Sequence, residues 1–205
     1  FFIIIFFASF FPSPDTSSIS VASYGIAIRI EQIILLPAIG LNFACLSLTG
    51  QNFGAVKYDR IREGYLICLK YGLILMVCGS LFLYFGAGYF MKIFTDDISV
   101  ISTGIHYLQI AALFAPILPV LNISIALMQG VKKPIYTVFI SLFKEVVGAA
   151  IIIWLLCFYL NYKLQGLWVG ILIVNYLSVI IFLFIVNNQM KSLGLEIFRR
   201  KLPPN

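Results

Sequence analysis

The chain has 205 residues, 61% of them hydrophobic and only 11% charged, with 14 Lys and Arg against 8 Asp and Glu. A soluble domain carries about 25% charged residues, so this balance excludes an ordinary soluble fold and indicates a membrane-embedded protein. The net charge of +6 does not imply nucleic acid, because the basic residues lie between apolar spans and not on one folded face.

Residues 1–11, FFIIIFFASFF, lack both an initiator Met and a basic start, unlike a signal peptide. Eleven helical residues rise roughly 16 Å, about half of a ~30 Å hydrocarbon core. The segment is expected to be the end of a truncated spanning helix, and the chain a fragment. Residues 12–18, PSPDTSS, read as a polar turn, because closely spaced prolines oppose helix continuation. A long helix is predicted over about 20–49, with Pro37 bending or breaking it. Its end, Gly50-Gln51-Asn52-Phe53-Gly54-Ala55, is followed by the basic tract 57–62.

A second span is predicted over about 64–91. Thr95-Asp96-Asp97 has the character of an N-cap opening the next helix. That helix, about 98–130, contains no Asp, Glu, Lys or Arg but is interrupted by His106, Pro116 and Pro119. Lys132-Lys133-Pro134 separates it from a span over about 135–160, which carries Lys144 and Glu145 internally. Asn161-Tyr162-Lys163 turns into the last span, about 164–190, and residues 191–205 form a basic, mildly amphipathic tail. The prediction is therefore an all-α membrane protein: one domain over 1–205, a six-helix transmembrane bundle with its first helix truncated.

The turns alternate in charge. Lys57, Arg60, Arg62, Lys70, Lys132, Lys133, Lys191, Arg199, Arg200 and Lys201 fall on one side, and only Lys92 and Lys163 on the other. By the positive-inside rule the first side, with the C-terminus, is expected in the cytoplasm.

Arg29, Glu31, Lys144 and Glu145 are charged residues inside apolar spans. At about 1.5 Å per residue, Arg29 and Lys144 both fall roughly 14–15 Å deep, from opposite sides. A charge there costs at least ~2.5–3.5 kcal/mol unless paired or hydrated. Two readings stay open: a polar cluster with Gln32 lining a solute pathway, or an interhelical salt bridge that only fixes packing. Glu145 to Arg29 and Lys144 to Glu31 are both geometrically allowed. His106 is a candidate proton relay, with a hydrogen-bonded packing residue as the more common alternative. Pro116 and Pro119, three apart, predict a helix break that frees backbone carbonyls beside a cavity.

Gly50-x-x-x-Gly54 and Gly166-x-x-x-Gly170 have helix-packing spacing. Tyr84, Phe90, Tyr107, Tyr159, Tyr162 and Trp168 sit near span ends, as an interfacial belt would. Cys45, Cys68, Cys78 and Cys157 lie in apolar runs without a C-x-x-C pair. They read as buried thiols, so neither a disulfide framework nor a metal site is expected. No nucleophile–base pair or phosphate loop is present, and an enzyme is not expected.

Several segments, in order, resemble the C-terminal half of a transporter of the MATE family, multidrug and toxic compound extrusion. They are Ala22-Ser23-Tyr24-Gly25-Ile26-Ala27, Arg29-Ile30-Glu31, Pro37, Gly50-Gln51-Asn52-x-Gly54-Ala55 with its basic loop, Ile93-Phe94-Thr95-Asp96-Asp97, and Ala126-Leu127-Met128-Gln129-Gly130-Val131-Lys132-Lys133-Pro134. The resemblance implies one lobe of a twelve-helix exporter made of two six-helix lobes around a central cleft. Its partners would be membrane lipid, a small amphiphilic substrate and the N-terminal lobe. No cofactor is implied beyond a coupling ion, Na⁺ or H⁺, and the place would be the bacterial inner membrane. On this reading residues 1–11 end the seventh helix of the family.

Some members keep a coupling acid on the tenth helix, where this chain reads Ile117-Leu118-Pro119. Coupling would then depend on the other lobe, as in other branches. The alternatives are a flippase of the wider superfamily, moving lipid-linked oligosaccharides, and a non-transporting membrane subunit.

Overall fold

The structure, a computed structural model, describes residues 14–159 and 163–192. The truncated helix expected over 1–11, the turn expected at 161–162 and nearly all of the basic tail lie outside the described residues. Helix α1 runs Pro14–Gly54 and α2 runs Tyr58–Phe94. Helix α3 comprises Ile98–Phe114, a 3₁₀ turn Ala115–Ile117, and Leu118–Gly130. Helix α4 comprises Ile135–Leu142, a π-turn Phe143–Val147, Gly148–Trp154, and a second π-turn Leu155–Tyr159; α5 is Lys163–Ser192. The five are long and apolar enough to cross a membrane, and no strand occurs among the described residues.

Two boundaries differ from expectation in α1. Residues 14–18, predicted as turn, are already helical. A proline in the first helical turn gives up only an N–H that has no partner there. Pro37 does not break the helix, which continues to Gly54; its ring is on an exposed face, so the missing hydrogen bond stays local.

Helices α1 and α3 end in the same way. Lys57 N–H bonds to the Asn52 carbonyl (2.8 Å) and Val56 N–H to Phe53 (3.2 Å), while Lys133 bonds to Met128 (2.9 Å) and Lys132 to Gln129 (3.0 Å). Val56 and Lys132 take left-handed φ values of 56° and 60°. These are Schellman caps, which consume carbonyls left open at a helix end and reverse the chain. At the opposite face Asp97 caps α3 by accepting from the Ser99 and Val100 N–H groups (2.8 and 3.3 Å). The Lys133 ammonium donates to Gln189 Oε1 (2.9 Å), fastening the α3–α4 turn to the end of α5.

Two apolar cores stack along the bundle. The one at the Asp97 end holds Tyr24, Ala27, Leu83, Met91, Leu108, Phe114 and Ile153. The one at the Lys133 end holds Cys45, Ile61, Tyr65, Leu127, Ile140, Phe182 and Met190. Ala38, Met76 and Ala115 lie between them, level with the 3₁₀ turn. In lipid, helices gain little from burying apolar surface and associate through close packing of small residues. A Cβ on Gly130 would meet Thr49 Cβ at 2.6 Å and the Gly50 backbone nitrogen at 3.2 Å; Gly104 faces Met91, Gly72 faces Pro119 and Ile123, and Gly64 faces Leu48. Phe43, Phe82, Phe85 and Phe184 are turned outward, as a lipid-facing surface allows.

Candidate functional site

The break in α3 builds the site. Pro116 has no N–H to return to the turn before it, and the chain tightens into 3₁₀ geometry over Ala115–Ile117. Just before it, the Leu113 carbonyl accepts from the Tyr176 hydroxyl of α5 (3.0 Å). Beside this break lies a cavity of about 260 Å³. Glu31 and Tyr24 of α1, Tyr107 and Asn122 of α3, Lys144 and Glu145 of α4, and Asn175 of α5 supply its polar lining.

Glu31 is only 8% exposed. Its Oε2 accepts from the Tyr107 hydroxyl at 2.7 Å, and the Tyr107 ring stands edge-on to Tyr24 with centroids 5.0 Å apart. Across the cavity, the Lys144 ammonium lies 3.1 Å from Glu145 Oε1, both on the first π-turn of α4. Asn175 donates to the Ile171 carbonyl (2.8 Å). Its Oδ1 is buried with no hydrogen-bond partner among the described residues.

The predicted polar cluster is therefore split. Glu31, Lys144 and Glu145 share the cavity, whereas Arg29 and Gln32 are exposed on other faces of α1. Helical geometry separates them: two residues turn about 200° and one about 100°. Neither proposed interhelical ion pair forms; Lys144 pairs with its own neighbour. His106 is exposed and does not line the cavity, because it precedes Tyr107 by one residue and faces away. Pro116 marks the break itself, and Pro119 is buried in the first turn of the helix that resumes at Leu118.

A Cβ added at Gly50 or Gly54 would meet nothing within 4 Å, so their spacing does not mark a close contact of their own; one at Gly170 would lie 3.0 Å from Ile153. Gly166 is buried. Cys45, Cys68 and Cys157 are buried and free, but Cys78 is exposed, contrary to its reading as a buried thiol. No cluster of metal-ligating side chains occurs among the described residues.

A family model described as MatE matches residues 1–155. The chain belongs to the MatE family. No curated protein matches its sequence. Among solved structures, an inward-facing multidrug resistance MATE transporter of the MOP superfamily superposes with a TM-score of 0.85 at 20% identity, over 94% of this chain and 44% of that one. A MOP superfamily transporter from Pyrococcus furiosus, described as having a binding pocket of reversed polarity, gives 0.85 at 19% identity over 95% and 43%. The MATE transporter ClbM, solved with Rb⁺, gives 0.82 at 19% identity over 90% and 42%.

The chain thus has the fold of one MATE lobe and spans less than half the length of these transporters. It is an integral membrane protein of a transporter family, not an enzyme family. Within this MATE lobe the acids of the cavity come from α1 and α4, not from α3, whose Ile117-Leu118-Pro119 segment contributes Leu118 to the wall.

Sequence reasoning missed Tyr24, Tyr107, Asn122 and Asn175. Tyr24 had a usable signal: seven residues before Glu31, it shares that residue's helical face. Asn122 and Asn175 are uncharged amides inside apolar spans, a weaker form of the signal that marked the acids. Tyr107 reads from sequence as an interfacial aromatic and is in fact 3% exposed.

Proposed function

We propose that this lobe belongs to a membrane exporter that exchanges organic cations or other amphiphilic compounds for Na⁺ or H⁺, and that the Glu31 cavity receives the positive charge. The carrying observation is Glu31 itself: a carboxylate nearly excluded from the surface, held by one hydroxyl, in the wall of a polar cavity. Such a group is costly in a membrane unless it binds something. The lining is rich in acceptors, namely Glu31, Glu145, Asn122 and Asn175, with Lys144 as its cation. That balance suits a cation and opposes the phosphates a lipid-linked oligosaccharide would bring.

Drug-sized sites usually exceed about 300 Å³. This cavity therefore suits a coupling ion or a charged head group, with the amphiphile's body in a cleft completed by a second lobe. That lobe is the partner this reading requires. The Lys/Arg asymmetry of the turns supports a cytoplasmic C-terminus, and the bacterial inner membrane is the place we assign.

The test is transport. Reconstituted in liposomes, the natural full-length polypeptide carrying these residues is expected to move ethidium against a Na⁺ or pH gradient. The Glu31→Gln variant is expected to lose at least about tenfold in rate, the equivalent of a charge contact of ~1.4 kcal/mol. Unchanged ethidium transport by Glu31→Gln would remove the cavity from the mechanism.

A further inference from the structure

We infer that Lys144 is a built-in counter-cation of the cavity, whose ammonium exchanges between Glu145 and Glu31 and so competes with any cation that enters. This rests on the reading of Glu31 given above and adds a device that regulates access to it.

Four observations converge. Lys144 and Glu31 line the same cavity from different helices. Its present partner, Glu145, is its sequence neighbour and is 60% exposed, against 25% for Lys144. Glu145 is therefore not packed in place, and among the described residues nothing but the ion pair itself holds the lysine to it. Asn175 Oδ1 is an acceptor on the same cavity with no partner among the described residues, on a side chain only 6% exposed. It is suited to one of the three ammonium protons when the lysine turns inward. Finally, Lys144 and Glu145 sit on a π-turn, a widened helical turn of the kind that gathers at functional sites.

With Lys144 turned to Glu145, the acceptors Glu31 and Asn175 are open to the cavity and can take a cation. With Lys144 turned to Glu31, the cavity is neutralised from within and closed to positive charge. An incoming cation and the lysine thus bind the same carboxylate in alternation.

The experiment is a double-mutant cycle on binding of ¹⁴C-methylammonium, a compact cation, to the natural full-length polypeptide in lipid nanodiscs. Lys144→Gln is expected to tighten binding about tenfold, because the internal competitor is gone, and Glu145→Gln to weaken it about tenfold, because the lysine loses its alternative partner. The decisive arm is the double variant: in the Lys144→Gln background, Glu145→Gln should change affinity by less than about twofold.

Effects that simply add would mean that the two charges act only through their field, or that Glu145 contacts the ligand. Either result overturns the exchange, as does unchanged affinity in Lys144→Gln. Should Lys144→Gln not purify, Lys144→Met closes the same cycle. Glu31→Gln separates the two claims. If it leaves binding intact, or if the wild type does not bind methylammonium, the cavity reading itself falls and the exchange with it. If it abolishes binding while the cycle is additive, only the exchange falls.

Discussion

Val56 closes α1 from the left-handed region, with φ at 56°. A β-branched residue is poorly suited to that region, which costs an L-residue roughly 1–2 kcal/mol and a glycine almost nothing. Val56 is also 66% exposed, so it has little packing to lose. Val56→Gly should therefore stabilise the protein by about 1 kcal/mol, after allowing for the extra freedom glycine gives the unfolded chain. A thermal melt in detergent would record a higher midpoint, and a lower one would mean the valine methyls make contacts that outweigh the strain. At this scale the sequence was partly legible. Glu31, Lys144 and Glu145 stand out because charge inside an apolar span is rare. Which of them face one another was not legible, since that depends on helix rotation, and rotation is set by contacts such as Gly130 against Thr49.

Among the helices, α3 and α4 depart from ideal geometry for different reasons. The α3 break was readable from Pro116 and Pro119, because a missing N–H has local consequences wherever it falls. The first π-turn of α4 was not: residues 143–147 contain neither Gly nor Pro. Only the structure shows that a Cβ at Gly148 would lie 2.8 Å from the Phe143 carbonyl. The break in α3 is tied to α5, since the Tyr176 hydroxyl donates to the Leu113 carbonyl just before it. Tyr176→Phe should remove this bond to the Leu113 carbonyl at a cost of about 0.5–1.5 kcal/mol. Hydrogen–deuterium exchange should then quicken across the 3₁₀ turn and change little at the Lys133 end. Uniform exchange in both proteins would show that the hydroxyl is dispensable to the break.

For the molecule as a whole, the five spans among the described residues were legible because each apolar run is closed by charge, proline or an acidic cap. The positive-inside bias makes a definite prediction. In a background lacking the four native cysteines, single cysteines at Arg60 and Lys133 should react with an impermeant maleimide only after the cytoplasmic face is opened. A cysteine at Asp96 should react in intact cells. Labelling of Lys133 and Asp96 from the same side would break the span count. The stacked cores described above carry a mechanical consequence. The join between the cores, at Ala38, Met76 and Ala115, falls at the 3₁₀ turn beside Pro116, the kind of place where a helix bends most readily. Tension or thinning in the surrounding bilayer would therefore be taken up at that join, next to the 3₁₀ turn and the Glu31 cavity, so the thickness of the membrane becomes an input to the shape of the site.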